Sequence, residues 1–482
     1  MNSKKMTYDV NEKPPVAKWI VLAIQHVFAM FGATILVPIL VNAAAGETVL
    51  TIPVALVASG IGTLLYILCT KGKSPVYLGS SFAFITPIAA AYFKGGISGA
   101  MTGVMVVGLI YIVVALIIKA VGSKWLDKIL PPLVIGPMIM IIGLGLAPSA
   151  VSQMGIAADV ASIDWKTVAI AVFTFLVTTI VMVRAKGFIK IIPFLVGIVA
   201  GYIFACVLGV VDFTAVKEAS FFSVPEFVFP FIDYKLNFGA LLTIAPIALV
   251  TMCEHIGDHT SLSNIIGKDL LKDPGLDRTL LGDGVATFVA GMLGGPANTT
   301  YGENTSVVGM TKVASVWVIG LAAIFAIILG FLGKFTAIVS TIPQPVLGGV
   351  SLLLYGFIAV NGLKVLIKNQ IDFEQPKNVV VASSMLVLGL GGAAIAIVSG
   401  DLSVTISGMS LAALVGIILN LVLPNEVEEV ANETVVEEVV EEKVEVKKAP
   451  AKKSTSTKKS TTTKKSSSTK KTTTKKSTTK KK

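Results

Sequence analysis

The hydrophobic pattern of this chain is dominated by apolar runs that recur from Val16 almost to Leu423. A helix needs about 20 mostly apolar residues to cross a bilayer, and these runs are close to that length. The pattern predicts an all-α polytopic membrane protein. Fourteen segments fit it, and we number them in chain order: 17–41, 51–70, 76–93, 98–119, 126–147, 166–184, 188–210, 238–264, 280–295, 299–313, 314–333, 345–363, 378–398 and 404–423.

Two segments depart from this pattern because they are short, polar and interrupted by glycine or proline. Segment 3 contains the run YLGSSFAFITP, and segment 10 lies in NTTYGENTSVVGMTK at 298–312. Polar groups at membrane depth are costly unless they face a cavity or a ligand. Gly79 and Gly302 would let the backbone of each segment approach a ligand closely. We therefore expect segments 3 and 10 to line one site.

The chain also resembles itself at intervals of seven segments. Gln25-His26 in segment 1 parallels Glu254-His255 in segment 8, and LPPLVIGPMIM (130–140) parallels IPQPVLGGVSLL (342–353). Segments 3 and 10 form a third pair. An odd number of segments in each half gives the halves opposite orientations in the membrane. We expect a 7+7 inverted repeat.

The amino-acid composition also indicates a membrane protein. Only 14% of residues are charged and 54% are hydrophobic, whereas a soluble domain has about 25% charged residues. Of the net charge of +11, residues 426–482 contribute +7, from 16 Lys and 9 Glu. The basic balance therefore belongs mainly to the tail and does not indicate a nucleic-acid-binding surface. Cys69, Cys206 and Cys253 lie in apolar runs without metal-type spacing, so neither disulfides nor a cysteine metal site is expected.

The loops predict the orientation of the chain. Cations concentrate in alternate connections, the positive-inside pattern, which places both termini in the cytoplasm and the protein in the cytoplasmic membrane. The N-terminus shows no cleavable signal pattern. Residues 425–482, acidic with valines and then rich in Lys, Ser and Thr, are expected to be disordered. Their lysines could contact anionic lipid or nucleic acid, but we expect the tail to have no role in transport. The proposed inner cations are Lys71, Lys73, Lys119, Lys124, Lys128, Arg184, Lys186, Lys190, Lys268, Lys272, Arg278, Lys364, Lys368 and Lys377.

Segment 8 contains four ionisable residues within six positions of the chain. Glu254 and Asp258 are four residues apart and share one helical face, whereas His255 and His259 share an adjacent face. Acids inside an apolar segment are functional candidates, although Asp258 and His259 could also lie at a solvated helix end. Because the histidines and acids face apart, a zinc site is not expected. No nucleophile elbow, Walker loop or HExxH run occurs, so an enzyme or a bound cofactor is not expected either.

These residues are compatible with a proton-coupled carrier. Burial of a carboxylate in a low-dielectric pocket favours its protonated form, so Glu254 or Glu303 could hold a coupling proton while the other accepts ligand N–H groups. Phe82 and Tyr301 offer aromatic faces on which a flat heteroaromatic ligand could stack. Ordinary core packing explains Phe82 almost equally well.

At these positions the chain resembles the nucleobase–ascorbate transporter family over about residues 13–423. The resemblance is carried together by QHVFAMFGATILVPIL (25–40), KGKSPVYLGSSFAFITP (71–87), CEHIGD (253–258), KDLLKDPGLDR (268–278) and GGPANTTYGENTSVVGMTK (294–312). It implies short strands in segments 3 and 10 and proton symport by a protein that is often a homodimer.

The resemblance also implies two domains after a cytoplasmic N-terminus, residues 1–15. Segments 1–4 and 8–11 would form a core domain, residues 16–119 and 238–333. Segments 5–7 and 12–14 would form a gate domain, residues 120–237 and 334–424. The remaining residues, 425–482, are the tail.

Carried over by motif position, Glu254 and Glu303 match the family's two ligand-binding glutamates. Phe82 matches a residue whose backbone contacts the base. The implied pocket is completed by Ala83, Tyr301 and Gly302, with supporting or proton-coupling roles for Asp258, Asn304 and His255.

Two departures from the family pattern stand out. Asp258 stands where related uracil carriers have histidine, and histidine is displaced to His259; Ser306 stands where a glycine is usual. The TYGEN run favours pyrimidine carriers, because purine carriers more often have glutamine at the position of Glu303. We expect uracil as the substrate, with xanthine or urate as the alternative. An anion transporter of similar architecture is disfavoured, because two buried acids would repel its ligand.

Overall fold

A computed structural model describes residues 6–158, 160, 162–230, 237–399 and 402–424. The tail, residues 425–482, lies outside the described residues. Within the described ranges the helices are α1 Val16–Ala45, α2 Ile52–Cys69, α3 Ile85–Val121, α4 Lys124–Ile129, α5 Pro132–Gly145, α6 Ala147–Gln153, α7 Trp165–Arg184, α8 Pro193–Val207, α9 Thr214–Glu218, α10 Phe238–Ile244, α11 Ile247–Ile266, α12 Leu276–Met292, α13 Gly302–Thr311, α14 Val316–Gly330, α15 Gly333–Ser340, α16 Gln344–Lys368, α17 Pro376–Leu390 and α18 Gly408–Val422. The strands are β1 Leu78–Ser80, β2 Asn298–Thr300, β3 Ala394–Ser399 and β4 Leu402–Ser407.

Local sequence explains many helix boundaries. Proline stands in the first turn of α2, α5, α8, α16 and α17, where its missing N–H is not needed. α1 and α11 end at Gly46 and Gly267, both in the left-handed conformation that glycine adopts without strain. The polar connections therefore begin where the sequence stops the helices.

The helices identify a polytopic membrane protein. Among the described residues, seven helices are long and apolar enough to cross a bilayer, or eight if α14 and α15, bent by 82°, count as one span. α8, α17 and α18 are apolar but shorter. The molecule is therefore mostly helical, with about seven or eight apolar spans by this measure, and the fourteen-segment count stays a prediction.

Helix α3 is broken where the sequence predicts the boundary between segments 3 and 4. It has 37 residues and is interrupted at Gly96, where φ is +63° and ψ is −167°. Two helical stretches therefore meet at a sharp kink between the predicted end of segment 3 at residue 93 and the predicted start of segment 4 at residue 98. Glycine permits this because its backbone reaches positive φ without a side-chain clash.

The largest local difference from the sequence prediction concerns segments 13 and 14. Helix α17 stops at Leu390, and β3 pairs with β4 in an antiparallel hairpin from Ala394 to Ser407. The prediction of helix to residue 398 and again from 404 was wrong there. Gly391 and Gly392 end the helix, Gly392 with a φ of +72°, and the β-branched runs that follow favour strands.

Helix packing falls into two sets. In the first, α3 packs on α10 and α12, α2 packs on α12 and α14, and α1 packs on α14. In the second, α5 packs on α16 and α17, α7 on α8 and α16, and α17 on α18. Small residues allow close approach within both sets. Gly108 lies against Gly284 in the first set, and Gly136 lies against Gly362 in the second.

An N-terminal strap, residues 7–13, lies along the chain that follows α13. Tyr8 forms a parallel bridge with Val313. The Ala314 N–H donates to the Tyr8 carbonyl at 2.9 Å, and the Val316 N–H donates to the Val10 carbonyl at 2.9 Å. The strap therefore fixes the connection between α13 and α14 by backbone pairing.

Candidate functional site

The two interrupted segments meet as a short antiparallel ladder. β1 pairs with β2 so that Leu78, Gly79 and Ser80 face Thr300, Thr299 and Asn298 respectively. The Tyr301 N–H donates to the Tyr77 carbonyl at 3.1 Å, and the Ser81 N–H donates to the Ala297 carbonyl at 2.9 Å, so the pairing continues beyond both strands.

Helix α2 supports this ladder with hydroxyl groups. Ser59 Oγ donates to the Leu78 carbonyl at 2.7 Å, and the Leu78 N–H donates to Thr63 Oγ1 at 3.0 Å. These bonds pair backbone groups that an interrupted helix leaves unsatisfied in an apolar environment.

Strand β2 holds the two acids of α11. Thr299 Oγ1 donates to Glu254 Oε2 at 3.2 Å, and Thr300 Oγ1 donates to Asp258 Oδ2 at 2.6 Å. Both carboxyl groups are partly exposed. A carboxylate accepts at two oxygens, so one threonine donor leaves each acid able to accept ligand N–H groups.

Glu303 brings a third carboxyl group to the same place. It lies in the first turn of α13, where the positive end of the helix dipole stabilises a negative charge. It is partly exposed and close enough to Glu254 and Asp258 for their charges to interact. The structure therefore clusters three acids that are up to 49 residues apart in the sequence.

Tyr301 is buried and ties the two strands together. Its hydroxyl donates to the Ser80 carbonyl at 3.0 Å and accepts from Thr34 Oγ1 of α1 at 3.1 Å. Its ring lies directly over Gly79, where any side chain would overlap it. Tyr301 is thus placed as a scaffold for the ladder.

Phe82 and Ala83 begin a single turn of 3-10 helix, Phe82–Phe84, between β1 and α3. Both residues are buried. The Phe82 ring meets the Tyr355 ring of α16 edge to face, with centroids 5.9 Å apart and planes at 78°. Phe82 therefore lies where the two helix sets meet.

Gly302 lies close to Asp258 and to Asn361 of α16. A Cβ atom built there would have as its nearest neighbours Asn361 Nδ2, at 3.9 Å, and Asp258 Oδ1, at 4.0 Å. The sequence did not identify Asn361, because a lone asparagine near the end of a helix looks like a surface residue.

Asn304 is buried against α1. Its Nδ2 donates to the His26 carbonyl at 3.0 Å and lies 3.1 Å from His26 Nδ1. Asn304 therefore positions α13 against α1, and its amide nitrogen is engaged there by His26. His26 was singled out in the sequence only as part of the repeat.

The two histidines of α11 belong to a separate buried cluster. His255 Nδ1 lies 2.6 Å from Asp283 Oδ2, and His259 Nε2 lies 2.6 Å from the Tyr66 hydroxyl. The His255 and His259 rings stack with centroids 4.0 Å apart. The possibility that His259 sits at a solvated helix end was wrong, since it is fully buried. Asp283 was missed, although an acid in an apolar segment is the signal that found Glu254.

The described residues contain no group of three or more His, Cys, Asp or Glu side chains that could hold a metal ion. Polar groups converge instead where two interrupted, strand-bearing segments meet inside a polytopic helical protein. This arrangement is characteristic of a secondary transporter.

Comparison with known proteins identifies the family. A model described as "Permease family" matches residues 17–398. The chain is 48% identical to the uracil permease of Bacillus subtilis (strain 168), with 90% of this chain and 98% of the relative covered. It is 42% identical to the uracil permease of Escherichia coli (strain K12), with 86% and 93% covered. The chain therefore belongs to this permease family, the nucleobase–ascorbate transporters that its motifs resemble.

Solved structures show the same fold at low identity. The transmembrane domain of the cyanobacterial bicarbonate transporter BicA matches with a TM-score of 0.54 at 17% identity, covering 82% of this chain and 97% of that one. The murine Slc26a9 anion transporter matches with a TM-score of 0.61 at 10% identity, covering 85% and 68%. The likeness concerns the fold alone.

Proposed function

We propose that this protein is a uracil permease that couples uracil entry to proton entry across the cytoplasmic membrane. The observation that carries the proposal is the meeting of Glu254, Asp258 and Glu303 beside the β1–β2 ladder. Membership of the family, and relatives named uracil permease at 42–48% identity, support the substrate.

Uracil presents two N–H donors and two carbonyl acceptors on a flat ring. Glu254 and Glu303 can accept from the N–H groups, while backbone N–H groups near Phe82, Ala83 and Gly302 can donate to the carbonyls. The ring would lie between Phe82 and Gly302.

Proton coupling follows from the clustering of like charges. Three carboxylates within one partly dry pocket cannot all be ionised at low cost, so one proton shared among them stabilises the site. A bound, uncharged pyrimidine removes further water from the carboxylates, and this makes their protonation more favourable. No other cofactor is needed by this mechanism.

We infer a 7+7 inverted repeat with core and gate domains from the reciprocal packing. In the numbering of the predicted segments, α3 on α12 pairs segments 4 and 9, and α14 on α2 pairs segments 11 and 2. The contact of α7 with α8 pairs segments 6 and 7, and that of α17 with α18 pairs segments 13 and 14. An inverted repeat produces such matched pairs. Alternating access would then be movement of the core against the gate, with both termini cytoplasmic and two copies forming a homodimer.

Uptake of radiolabelled uracil into proteoliposomes tests the proposal. Unlabelled uracil, xanthine and urate are added as competitors, at imposed pH gradients. We expect uracil to compete best and uptake to fall when the proton gradient is collapsed. Uptake that ignores the proton gradient would refute symport. Strong xanthine transport without uracil transport would refute the substrate.

A further inference from the structure

Two polar side-chain atoms, from Asn361 and Asp258, lie close to Gly302. The distances of 3.9 and 4.0 Å from a built Cβ to Asn361 Nδ2 and Asp258 Oδ1 are ordinary van der Waals contacts. A side-chain carbon at Gly302 would therefore contact both groups without forcing either to move. The amide nitrogen of Asn361 and a carboxylate oxygen of Asp258 thus come to the same place, beside Gly302.

Lys364 contacts the oxygen end of the Asn361 carboxamide. Lys364 Nζ donates to Asn361 Oδ1 at 3.3 Å. An ammonium group has no acceptor, so only the amide oxygen can pair with it. The amide nitrogen, a donor, is left pointing toward Gly302.

Asn361 approaches from the helix set opposite to the one that bears the acids. It lies on α16, which packs on α5, α7 and α8, whereas Glu254 and Asp258 lie on α11. α16 also carries Tyr355, the edge-to-face partner of Phe82. Two side chains of one helix thus reach the site from the proposed gate domain.

We propose that Asn361 is the gate-side binding residue, which donates a hydrogen bond to a substrate carbonyl and is oriented by Lys364. This inference rests on the proposed function and extends it to specificity. The acids accept from the N–H groups of a pyrimidine, and Asn361 supplies the complementary donor. Cytosine carries an amino group in place of one uracil carbonyl. An oriented donor would face that amino group and leave two donors unpaired, which disfavours cytosine.

Substitution of Asn361 tests this role. Asn361→Ala removes the donor and should weaken uracil binding about tenfold, the effect of losing one hydrogen bond to a buried partner. Asn361→Asp replaces the donor with acceptors, so uracil should bind still more weakly and cytosine should compete better relative to uracil. Asn369→Ala, an exposed amide two turns further along α16, is the matched control and should bind uracil like the wild type.

Lys364→Met provides a second arm. It leaves Asn361 in place but frees its carboxamide to rotate, so the preference for uracil over cytosine should fall while uracil affinity changes less. Binding is measured with labelled uracil on folded, monodisperse protein. Unchanged affinity and unchanged selectivity in both Asn361 variants would overturn the inference. Failure of the wild-type protein to bind uracil would instead refute the proposed function, and the Asn361 effect would then be measured on the base it does bind.

Discussion

At the scale of single residues, the site depends on how the fold holds three carboxylates. Glu254, Asp258 and Glu303 have nearly the same charge and chemistry, but their surroundings differ. Threonine hydroxyls of β2 hold the first two, whereas Glu303 sits at a helix N-terminus. The fold therefore stabilises the charge of each acid in a different way, by a threonine hydroxyl or by a helix N-terminus.

We predict that Glu303→Gln abolishes measurable uracil binding. The amide removes the charge and replaces one acceptor oxygen with a donor, which would face a substrate N–H. Binding of labelled uracil to purified protein checks this. Ser306→Ala, an exposed change on the same helix, serves as control. Normal uracil binding by the Glu303 variant would show that the central site is assigned wrongly.

Alanine substitution at the two glycines of the site should affect different properties, uracil binding at Gly302 and thermal stability at Gly79. A methyl group at Gly302 meets no atom closer than 3.9 Å, so Gly302→Ala should fold and melt like the wild type but lose uracil binding, because the methyl occupies ligand space. A methyl group at Gly79 overlaps the Tyr301 ring, so Gly79→Ala should lower thermal stability, with overpacking costing about 1–3 kcal/mol. Melting curves and binding of both variants separate the two cases. Wild-type uracil binding by Gly302→Ala would contradict the placement of the ligand.

Residue-level signals in the sequence worked where the local context was unusual. Glu254 was identified as an acid inside an apolar run, and Glu303 was identified because its polar stretch interrupts an apolar region. The burial of His259 could not be predicted, since it depends on Tyr66, 193 residues away. Asn361 could be identified as a candidate only from its proximity to Gly302 in the structure.

At the scale of elements, the N-terminal strap shows what a local pattern cannot reveal. The sequence indicated only a polar N-terminus at residues 1–15, because a strand partner near residue 313 leaves no periodic trace. The strap also carries an ion pair between Asp9 and Lys268, which follows α11, at 2.7 Å. It therefore links the connections that follow α11 and α13.

The ion pair between Asp9 and Lys268 should stabilise the folded protein slightly, by an amount that depends on pH. The hydrogen bond from Lys268 lowers the pKa of Asp9 below its ordinary value of 3.8. A lowered pKa means that the stabilisation is full above the unfolded value and is lost as the pH falls through the folded one. Both side chains are about half exposed, so the pair contributes about 0.5 kcal/mol at neutral pH.

Asp9→Asn should therefore lower the melting temperature by about 1–2 °C at pH 7. The difference should shrink as the pH falls below 3.8 and vanish below the lower pKa of folded Asp9, or in 1 M salt, where charges are screened over about 3 Å. Scanning fluorimetry of the detergent-solubilised protein measures the shift. A double-mutant cycle with Lys268→Met isolates the pair. A difference that persists unchanged in acid and in high salt would rule out the ion pair as its cause.

At the scale of the whole molecule, hydropathy predicted a polytopic membrane protein and the structure agrees. Periodicity could not predict the hairpin from Ala394 to Ser407, since a run of β-branched residues fits both a buried helix and a strand. Nor could it give the pairing of helices, which depends on contacts between distant segments such as Gly108 with Gly284.

Deletion of residues 430–482 should leave uracil uptake intact. The family match ends at residue 398, and every residue assigned here to the site precedes it. Initial uptake rates per folded protein in proteoliposomes, compared with the full chain, measure the effect. A large loss of rate at equal folded protein would assign the tail a role in transport.

The pairing of Tyr8 with Val313 also constrains how the protein is made. The strap is synthesised about 300 residues before its partner, a delay of about 15–60 s at typical elongation rates. During that time its backbone has no strand partner. Docking of the strap must therefore wait until residue 313 has been made, well after the synthesis of α1. A bulky fusion immediately before Thr7 would interfere with this late step more than with the insertion of α1.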